Sequence, residues 1–230
     1  MSASRRVELV RWATETRAWI VEDDYDSYFR YRSRPLPALH RLETNMRAAQ
    51  GMSADDARVI YVGTFSKTMF PSLRLGYCIV PKRLAATFAN ARAIADRNSS
   101  LLDQAALAAF MEDGSYDRHL RRVRAACLER YEAIRRAAAR HLPGALTLSR
   151  MNAGTHVIGW LSAGMPKASA IERAAAEAGI VVFPLSRYCL RPPPRDGLVL
   201  GYGATTPRAI DGAMARLADV MGAGRSRAAR

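Results

Sequence analysis

One stretch decides the fold of this chain: Val59-Ile-Tyr-Val-Gly-Thr-Phe-Ser-Lys67-Thr68. Its apolar half predicts a buried β-strand, and its second half predicts a small polar loop at the end of that strand. The 35 basic residues of the chain include only three lysines, and Lys67 alone follows a strand. A primary amine condenses with an aldehyde, whereas a guanidinium does not, so Lys67 is a candidate Schiff-base nucleophile. A solvated surface cation is the alternative for an isolated lysine in this setting.

An acidic segment lies upstream of this lysine, at the end of another predicted strand. The apolar run Trp19-Ile-Val21 predicts a strand, and it is followed by Glu22-Asp-Asp-Tyr-Asp26. Carboxylates this close together repel one another unless a cation or solvent faces them. The protonated nitrogen of a bound pyridine ring would be a cation of this kind.

A basic and hydroxyl-bearing segment surrounds the lysine itself. Thr64 and Ser66 precede it, and Arg74 follows it after a short loop. A guanidinium offers paired N–H donors to oxygen, and hydroxyls complete an oxygen shell. These residue types at one strand end therefore predict a phosphate site.

Taken in order, these segments resemble the MocR family of GntR-type bacterial transcriptional regulators, whose effector domain is similar to an aminotransferase. The similarity extends over nearly the whole chain. The resemblance implies an α/β fold, a partial fold-type-I transferase dependent on pyridoxal 5′-phosphate (PLP). It would combine a remnant of the mixed sheet of the large domain with a smaller C-terminal α/β domain. The matching stretches are Ile20–Ser27, Phe29–Tyr31, Arg34–Leu39, Arg58–Thr68, Arg74–Tyr77, Leu102–Phe110, Ala153–His156 and Pro184–Tyr188.

The resemblance implies three contacts to the reactive part of the cofactor. Lys67 would be the catalytic residue and would hold PLP as the internal aldimine. Asp23 would pair with the ring nitrogen and keep the ring an electron sink. Tyr25 would donate to the phenolic oxygen of the ring. A turn cap is the alternative for Asp23, and we interpret Asp24 and Asp26 as turn caps.

The resemblance implies two further binding roles. Arg74 would hold the cofactor phosphate together with Thr64 or Ser66, and the choice between these hydroxyls stays open. Arg187 would bind the carboxylate of an amino-acid ligand, because its planar fork matches two oxygens. A solvated surface arginine is the alternative for Arg187.

The implied function is an effector-sensing domain that binds an amino acid or amine. DNA contact would be made only through a winged-helix domain that precedes this chain in full-length relatives, so Met1 would be an internal methionine. The full-length parent would be a cytoplasmic homodimer. Two alternatives stay open: a genuine PLP-dependent aminotransferase that converts an amino acid to a keto acid, and an inactive truncated fragment.

The predicted organisation has two domains and a tail. Residues 1–120 would form the C-terminal half of the large PLP-binding domain, 121–222 the small domain, and 223–230 a disordered basic tail. Residues 32–57 read as a loop. Periodicity predicts helices at 3–17, 83–97, 102–112, 115–141, 168–178 and 207–221, and strands at 18–22, 58–62, 75–80, 145–149, 154–161, 180–184 and 198–202.

The resemblance also predicts a weakness. The strand at 75–80 would lie between two strands that precede Met1 in a full-length relative, so its backbone groups would lack partners. An unpaired buried backbone group costs about 1–3 kcal/mol. The chain alone is therefore expected to expose apolar edges, to fold poorly and to bind PLP weakly.

Composition restricts the function classes. The chain has 230 residues and a formal charge of +14, which by itself would suggest nucleic acid. Arginines far outnumber lysines in the chain. The arginines of the predicted helix at 115–141 are spread over several of its faces, which indicates a solvated helix. Three scattered cysteines predict neither a disulfide framework nor a metal site. No apolar run is long enough for a membrane span, and no signal peptide opens the chain.

Overall fold

The computed structural model describes residues 1–30, 36–97, 99–150 and 153–222. The predicted tail at 223–230 lies outside these residues, as do Tyr31 and Arg34 of the matching stretches. The chain divides into two units. One holds residues 1–28 and the described part of 34–121, and the other holds the described parts of 29–33 and 122–230.

The first unit is built on a three-stranded sheet whose strands lie side by side in chain order. The first two strands are parallel, and the third is antiparallel to the second. The long helix α5 (Ser115–His141) begins in this unit and continues into the other. The remaining elements are α1 (Ala3–Thr16), β1 (Ile20–Asp24), α2 (Leu39–Ala49), β2 (Val59–Thr64), β3 (Gly76–Ile79), α3 (Lys82–Asp96) and α4 (Leu101–Glu112).

The expectation that the strand at 75–80 lacks partners is wrong for one of its edges. In β3, Tyr77 lies opposite Gly63 and Gly76 lies opposite Thr64 of β2. The pairing continues past the strand, because the Phe65 amide donates to the Leu75 carbonyl at 3.0 Å. The neighbour of β3 is thus a strand that the chain itself contains, and a short connection brings it back antiparallel.

Helix α2 is a correction to the predicted loop at 32–57. Its apolar residues Leu39, Leu42 and Met46 recur at helical spacing and pack with Val10 and Val59. The flanking residues are rich in proline and polar residues, and these loop signals are stronger in the sequence than the short helical pattern. Burial of the apolar stripe against β2 stabilises the helix.

Two glutamates connect α2 to the sheet. Glu22 of β1 accepts hydrogen bonds from the Leu39 and His40 amides at 2.8 and 3.2 Å, so it caps a helix whose own N-cap residue provides no side-chain bond. Glu43 is 1% exposed and accepts from the Arg58 and Val59 amides at 2.7 and 2.9 Å. A cap supplied by a distant strand leaves no local signal in the sequence.

The second unit is an antiparallel sheet with the order β4-β5-β7-β6. A large apolar cluster fills it, with Tyr202, Leu142 and Leu198 fully buried. Its elements besides α5 are β4 (Leu146–Leu148), β5 (His156–Leu161), α6 (Ala168–Glu177), β6 (Phe183–Pro184), β7 (Gly197–Gly201) and α7 (Pro207–Val220). This unit has a hydrophobic core of its own.

The first unit buries far less apolar surface. Every residue of β3 is exposed, and the described residues of α3 include none that is buried. Large apolar side chains stand in solvent, among them Val21, Ile94 and Leu102, which are 64%, 85% and 81% exposed. Exposed apolar patches of this kind favour association. This agrees with the expectation of exposed apolar edges and faces.

We predict that Glu43→Ala destabilises the first unit by about 3 kcal/mol, because it leaves two backbone amides without their acceptor and removes a charge partner of the buried Arg47. Arg47 is 4% exposed and its Nη1 lies 4.0 Å from Glu43 Oε1. Urea unfolding followed by tryptophan fluorescence measures the change. Glu15→Ala on the exposed side of α1 is the control. Equal stability of the two variants would contradict the role of Glu43.

Candidate functional site

The pairing of β1 with β2 brings the two predicted motifs to one edge of the sheet. Asp23 lies opposite Val62, and Asp24 lies opposite Gly63. Lys67 follows the end of β2 by three residues, and Arg74 precedes β3 by two. Because β3 is antiparallel to β2, its beginning lies at the edge where β1 and β2 end. Ligand sites of open α/β sheets form at this edge.

Three charged side chains at this edge lack partners among the residues that the structure describes. Asp23, Lys67 and Arg74 are all exposed, and none forms a hydrogen bond or ion pair within the described residues. Arg74 also has a left-handed backbone, with φ of 50°. One carboxylate and two cations fit a ligand that carries a phosphate and a protonated nitrogen. The residues present therefore fit the predicted cofactor, as does the half-exposed Tyr25, which follows Asp23 by two residues.

The two candidate hydroxyls differ in their surroundings. The Thr64 hydroxyl accepts from the Ser66 amide at 3.1 Å and lies 3.5 Å from the Leu75 carbonyl. The Ser66 hydroxyl forms no hydrogen bond within the described residues. Thr64 thus shapes the loop before Lys67, while Ser66 has its hydrogen-bonding capacity available for a ligand.

The three consecutive acids of β1 have three different surroundings. Glu22 caps α2, as described above. Asp24 accepts from the Ser27 amide and hydroxyl at 3.2 and 2.8 Å, which confirms its interpretation as a turn cap. Asp26 forms no hydrogen bond in the described part of the chain, so the same interpretation is wrong for it. Among the described residues, Asp23 is thus the strand acid that has no hydrogen-bonding or ionic partner.

Two tyrosines of the sheet were not singled out from the sequence. Tyr61 of β2 donates to Asp24 Oδ2 at 2.8 Å, and its ring centroid lies 5.9 Å from that of Tyr77 of β3. Burial raises the pKa of Tyr61 well above the usual value of about 10, and the hydrogen bond to Asp24 raises it further. Burial also raises the pKa of Tyr28. Tyr61 thus contacts a side chain of each neighbouring strand, Asp24 of β1 and Tyr77 of β3.

Gly63 allows this arrangement. A Cβ at this position would lie 2.5 Å from Tyr77 Cζ, so the ring rests directly on the glycine backbone. No larger residue fits there without displacing the ring. The Gly-Thr pair before the Lys67 loop thus has a packing role.

The loop that carries Lys67 is also anchored on α5. Thr68 is 1% exposed, and its hydroxyl lies 3.1 Å from that of Tyr116. The Thr68 carbonyl lies 2.7 Å from Nε2 of His119. Burial raises the pKa of Tyr116. These contacts hold the residue next to Lys67 while leaving the lysine side chain in solvent.

Arg187 belongs to the second unit. It lies in a single 3-10 turn at Leu185–Tyr188, and its Nη2 is 2.7 Å from Glu172 Oε1. Its Cζ is 5.1 Å from the centre of the Phe183 ring. The side chain is 54% exposed and available to a ligand.

Other kinds of site are missing from the described part of the molecule. No group of three or more His, Cys, Asp or Glu side chains is arranged to hold a metal. Cys78, Cys127 and Cys189 are free thiols. None of the helices that the structure describes is long and apolar enough to cross a membrane.

Comparison with known proteins identifies related sequences. Residues 7–205 match the family model for aminotransferase class I and II. The chain is 38% identical over 210 residues to the probable rhizopine catabolism regulatory protein MocR of Rhizobium meliloti, covering 91% of this chain and 40% of that protein. It is 34% identical to the uncharacterized HTH-type transcriptional regulator YhdI of Bacillus subtilis, with 91% and 42% covered. The predicted resemblance to MocR-type regulators is confirmed at this level.

A solved structure shares the fold. The α-aminoadipate aminotransferase LysN of Thermus thermophilus, complexed with N-(5′-phosphopyridoxyl)-L-leucine, superposes with a TM-score of 0.80 at 24% identity. The match covers 98% of this chain and 55% of LysN. The predicted fold class is therefore confirmed. The chain spans about 40% of the length of the curated regulators it matches.

We predict that Tyr61→Phe destabilises the first unit by about 1.5 kcal/mol at neutral pH, because it removes the donor to Asp24. Since the folded-state pKa of Tyr61 is raised, its contribution is complete below about pH 10 and is lost as the pH rises above that value. The stability difference between wild type and variant should shrink above pH 10. Denaturation at several pH values measures it, and a difference that grows with pH would contradict this assignment.

Proposed function

This chain belongs to the aminotransferase class I and II family, and we propose that it is the PLP-binding, effector-sensing domain of a bacterial transcriptional regulator. Membership supports the fold and the class of cofactor. The regulatory role rests on the sequence relatives, whose printed names describe transcriptional regulators. Because the chain spans less than half of those proteins, the activity of the whole protein is part of the proposal.

One observation carries the cofactor assignment. Lys67 is the one lysine that follows a strand of the described sheet at its ligand-binding edge, and Asp23 and Arg74 join it there. Lys82 and Lys167 stand at the starts of α3 and α6 instead. An amine, a carboxylate and a guanidinium that have no partners in the described part of the chain match the aldehyde, ring nitrogen and phosphate of one small molecule.

Each residue has a distinct task in this proposal. PLP, when bound, supplies an aldehyde and an electron-accepting ring. Lys67 would provide the amine that holds the aldehyde, and the negative charge of Asp23 would favour a proton on the ring nitrogen. Tyr25 would donate to the phenolic oxygen. Arg74 and a hydroxyl of Thr64 or Ser66 would hold the phosphate, whose negative charge complements the positive loop.

The ligand is an amino acid or an amine. Its amino group would replace Lys67 as the partner of the aldehyde, and a carboxylate would bind to Arg187. In a regulator, such an exchange alters the relative stability of two conformations and thereby DNA binding. We assign DNA contact to a separate winged-helix domain of the full-length protein, and we include a homodimer and a cytoplasmic location in the proposal.

The alternative function is transamination. It is supported by the shared fold with aminotransferases and by the same lysine, which can move a proton once its amine is released. Release of a keto acid from an added amino acid would favour this alternative. Exchange of the ligand without keto acid would favour sensing, and an inactive fragment would show neither.

We predict that borohydride reduction in the presence of PLP labels this chain at Lys67, because reduction fixes the lysine-bound cofactor. Peptide mapping by mass spectrometry locates the label. Lys67→Ala should remove at least about 90% of it, since a free exposed lysine has no neighbouring phosphate and ring contacts.

The remaining lysines provide matched controls. Lys82 and Lys167 are both exposed. Lys82→Ala and Lys167→Ala each remove one amine and should leave the label at Lys67 unchanged. A label spread evenly over the three lysines would contradict a built site. So would a label that persists in Lys67→Ala.

We also predict that the 230-residue chain binds PLP weakly and incompletely. The first unit exposes all of β3 and much apolar surface, so the strand that carries Asp23 and the loops that carry Lys67 and Arg74 rest on a small core. Titration with PLP, followed by the visible absorbance of the lysine-bound cofactor, measures the affinity. Tight binding at one equivalent would contradict this expectation.

A further inference from the structure

Arg187 contacts an acidic and an aromatic side chain that have no role in the proposed function. Its guanidinium is held by two side chains of the second unit, Glu172 of α6 and Phe183 of β6. Glu172 is the more buried partner, with 22% of its side chain exposed against 54% for Arg187. The carboxylate is therefore the more fixed member of the pair, and the guanidinium is the member that faces solvent.

The contacted nitrogen matters for ligand binding. A guanidinium binds a carboxylate in two parallel N–H···O bonds along one edge, and it has two such edges. One edge consists of Nη1 and Nη2, and the other consists of Nε and Nη2. Both edges include Nη2, which is the nitrogen that lies 2.7 Å from Glu172 Oε1. A ligand carboxylate must therefore displace Glu172 or bind directly beside a second negative charge.

We propose that Glu172 is a specificity-determining residue that competes internally with the ligand carboxylate for Arg187. This inference rests on the proposed function, in which Arg187 receives that carboxylate. An amine without a carboxylate leaves the Arg187–Glu172 pair intact and is indifferent to it. An amine that carries a carboxylate has to displace Glu172 from Arg187. Glu172 therefore reduces the ratio of the affinity for amino acids to the affinity for plain amines.

The Phe183 ring limits how Glu172 can be displaced. The guanidinium carbon lies 5.1 Å from the ring centre, and this cation–π contact is compatible with either anionic partner. The ring can thus keep Arg187 in position while the carboxylates exchange. The effect of Glu172 is then on affinity, because its removal does not release the arginine from Phe183.

The first test needs no cofactor. Phenylglyoxal modifies arginine, and mass spectrometry of the Arg187 peptide reports its rate in the wild-type chain, Glu172→Gln and Glu177→Gln. Glu172→Gln keeps the side-chain shape and removes the charge. Glu177 is on the same helix, exposed, and forms no hydrogen bond or ion pair within the described residues. We expect modification to be roughly three- to fivefold faster in Glu172→Gln alone, the scale of a partly exposed ion pair.

A carboxylate probe completes this test. Acetate should protect Arg187 from phenylglyoxal at a roughly three- to fivefold lower concentration in Glu172→Gln than in wild type. Protection in Glu177→Gln should match wild type. Equal rates and equal protection in all three proteins would overturn the proposal, and so would equal changes in both variants, which would indicate a general effect of charge. Circular dichroism of each variant verifies that α6 is retained.

The second test separates this inference from the proposed function. The PLP-loaded chain is titrated with L-alanine and with ethylamine, which lacks the carboxylate, and the visible absorbance reports exchange at Lys67. Glu172→Gln should improve the apparent affinity for L-alanine roughly three- to fivefold and leave ethylamine unchanged. If Arg187→Ala leaves L-alanine binding unchanged, the ligand role of Arg187 fails. If Arg187→Ala weakens it but Glu172→Gln does nothing, only the competition by Glu172 fails.

Discussion

The parallel hydrogen-bond ladder between β1 and β2 is the constraint on which the candidate site depends. It fixes Asp23 opposite Val62 and thereby brings the acidic motif to the edge that carries Lys67. Each end of this ladder is held by a carboxylate. Glu43 accepts the amides at the start of β2, and Asp24 accepts the hydroxyl of Tyr61 near its end. Buried acceptors of this kind are costly to leave unpaired and therefore specify one register.

The alternation of side chains along β1 separates structural from chemical roles. Glu22 and Asp24 point to one face, where they meet α2 and Tyr61, and Asp23 points to the other. Adjacent acids that look equivalent in the sequence are consequently two anchors and one carboxylate that has no partner among the described residues. The hydrogen bonds to Glu22 and Asp24, together with the Arg6–Glu22 ion pair, stabilise the charged form of the two anchors.

The two units differ in how they are stabilised. The second has a continuous apolar core, in which Leu142, Leu198 and Tyr202 are fully buried. The first depends on a small cluster around Val10, Leu39 and Val59, together with polar anchors, and it leaves β3 exposed. The site residues of the first unit therefore rest on a small core, whereas Arg187 and Glu172 belong to the unit with the large one.

The sequence by itself determined the chemistry and most of the elements. Scarce lysines singled out Lys67, ordered motifs indicated the family, and periodicity predicted the long helices and strands, because these signals are local. Only the tertiary structure decided three further points. Helix α2 forms because Glu22 caps it and because its apolar face packs against β2. Strand β3 pairs with β2, and Glu172 forms an ion pair with Arg187. Each of these depends on residues that are distant in the chain, and contacts of that kind leave no periodic pattern from which they can be read.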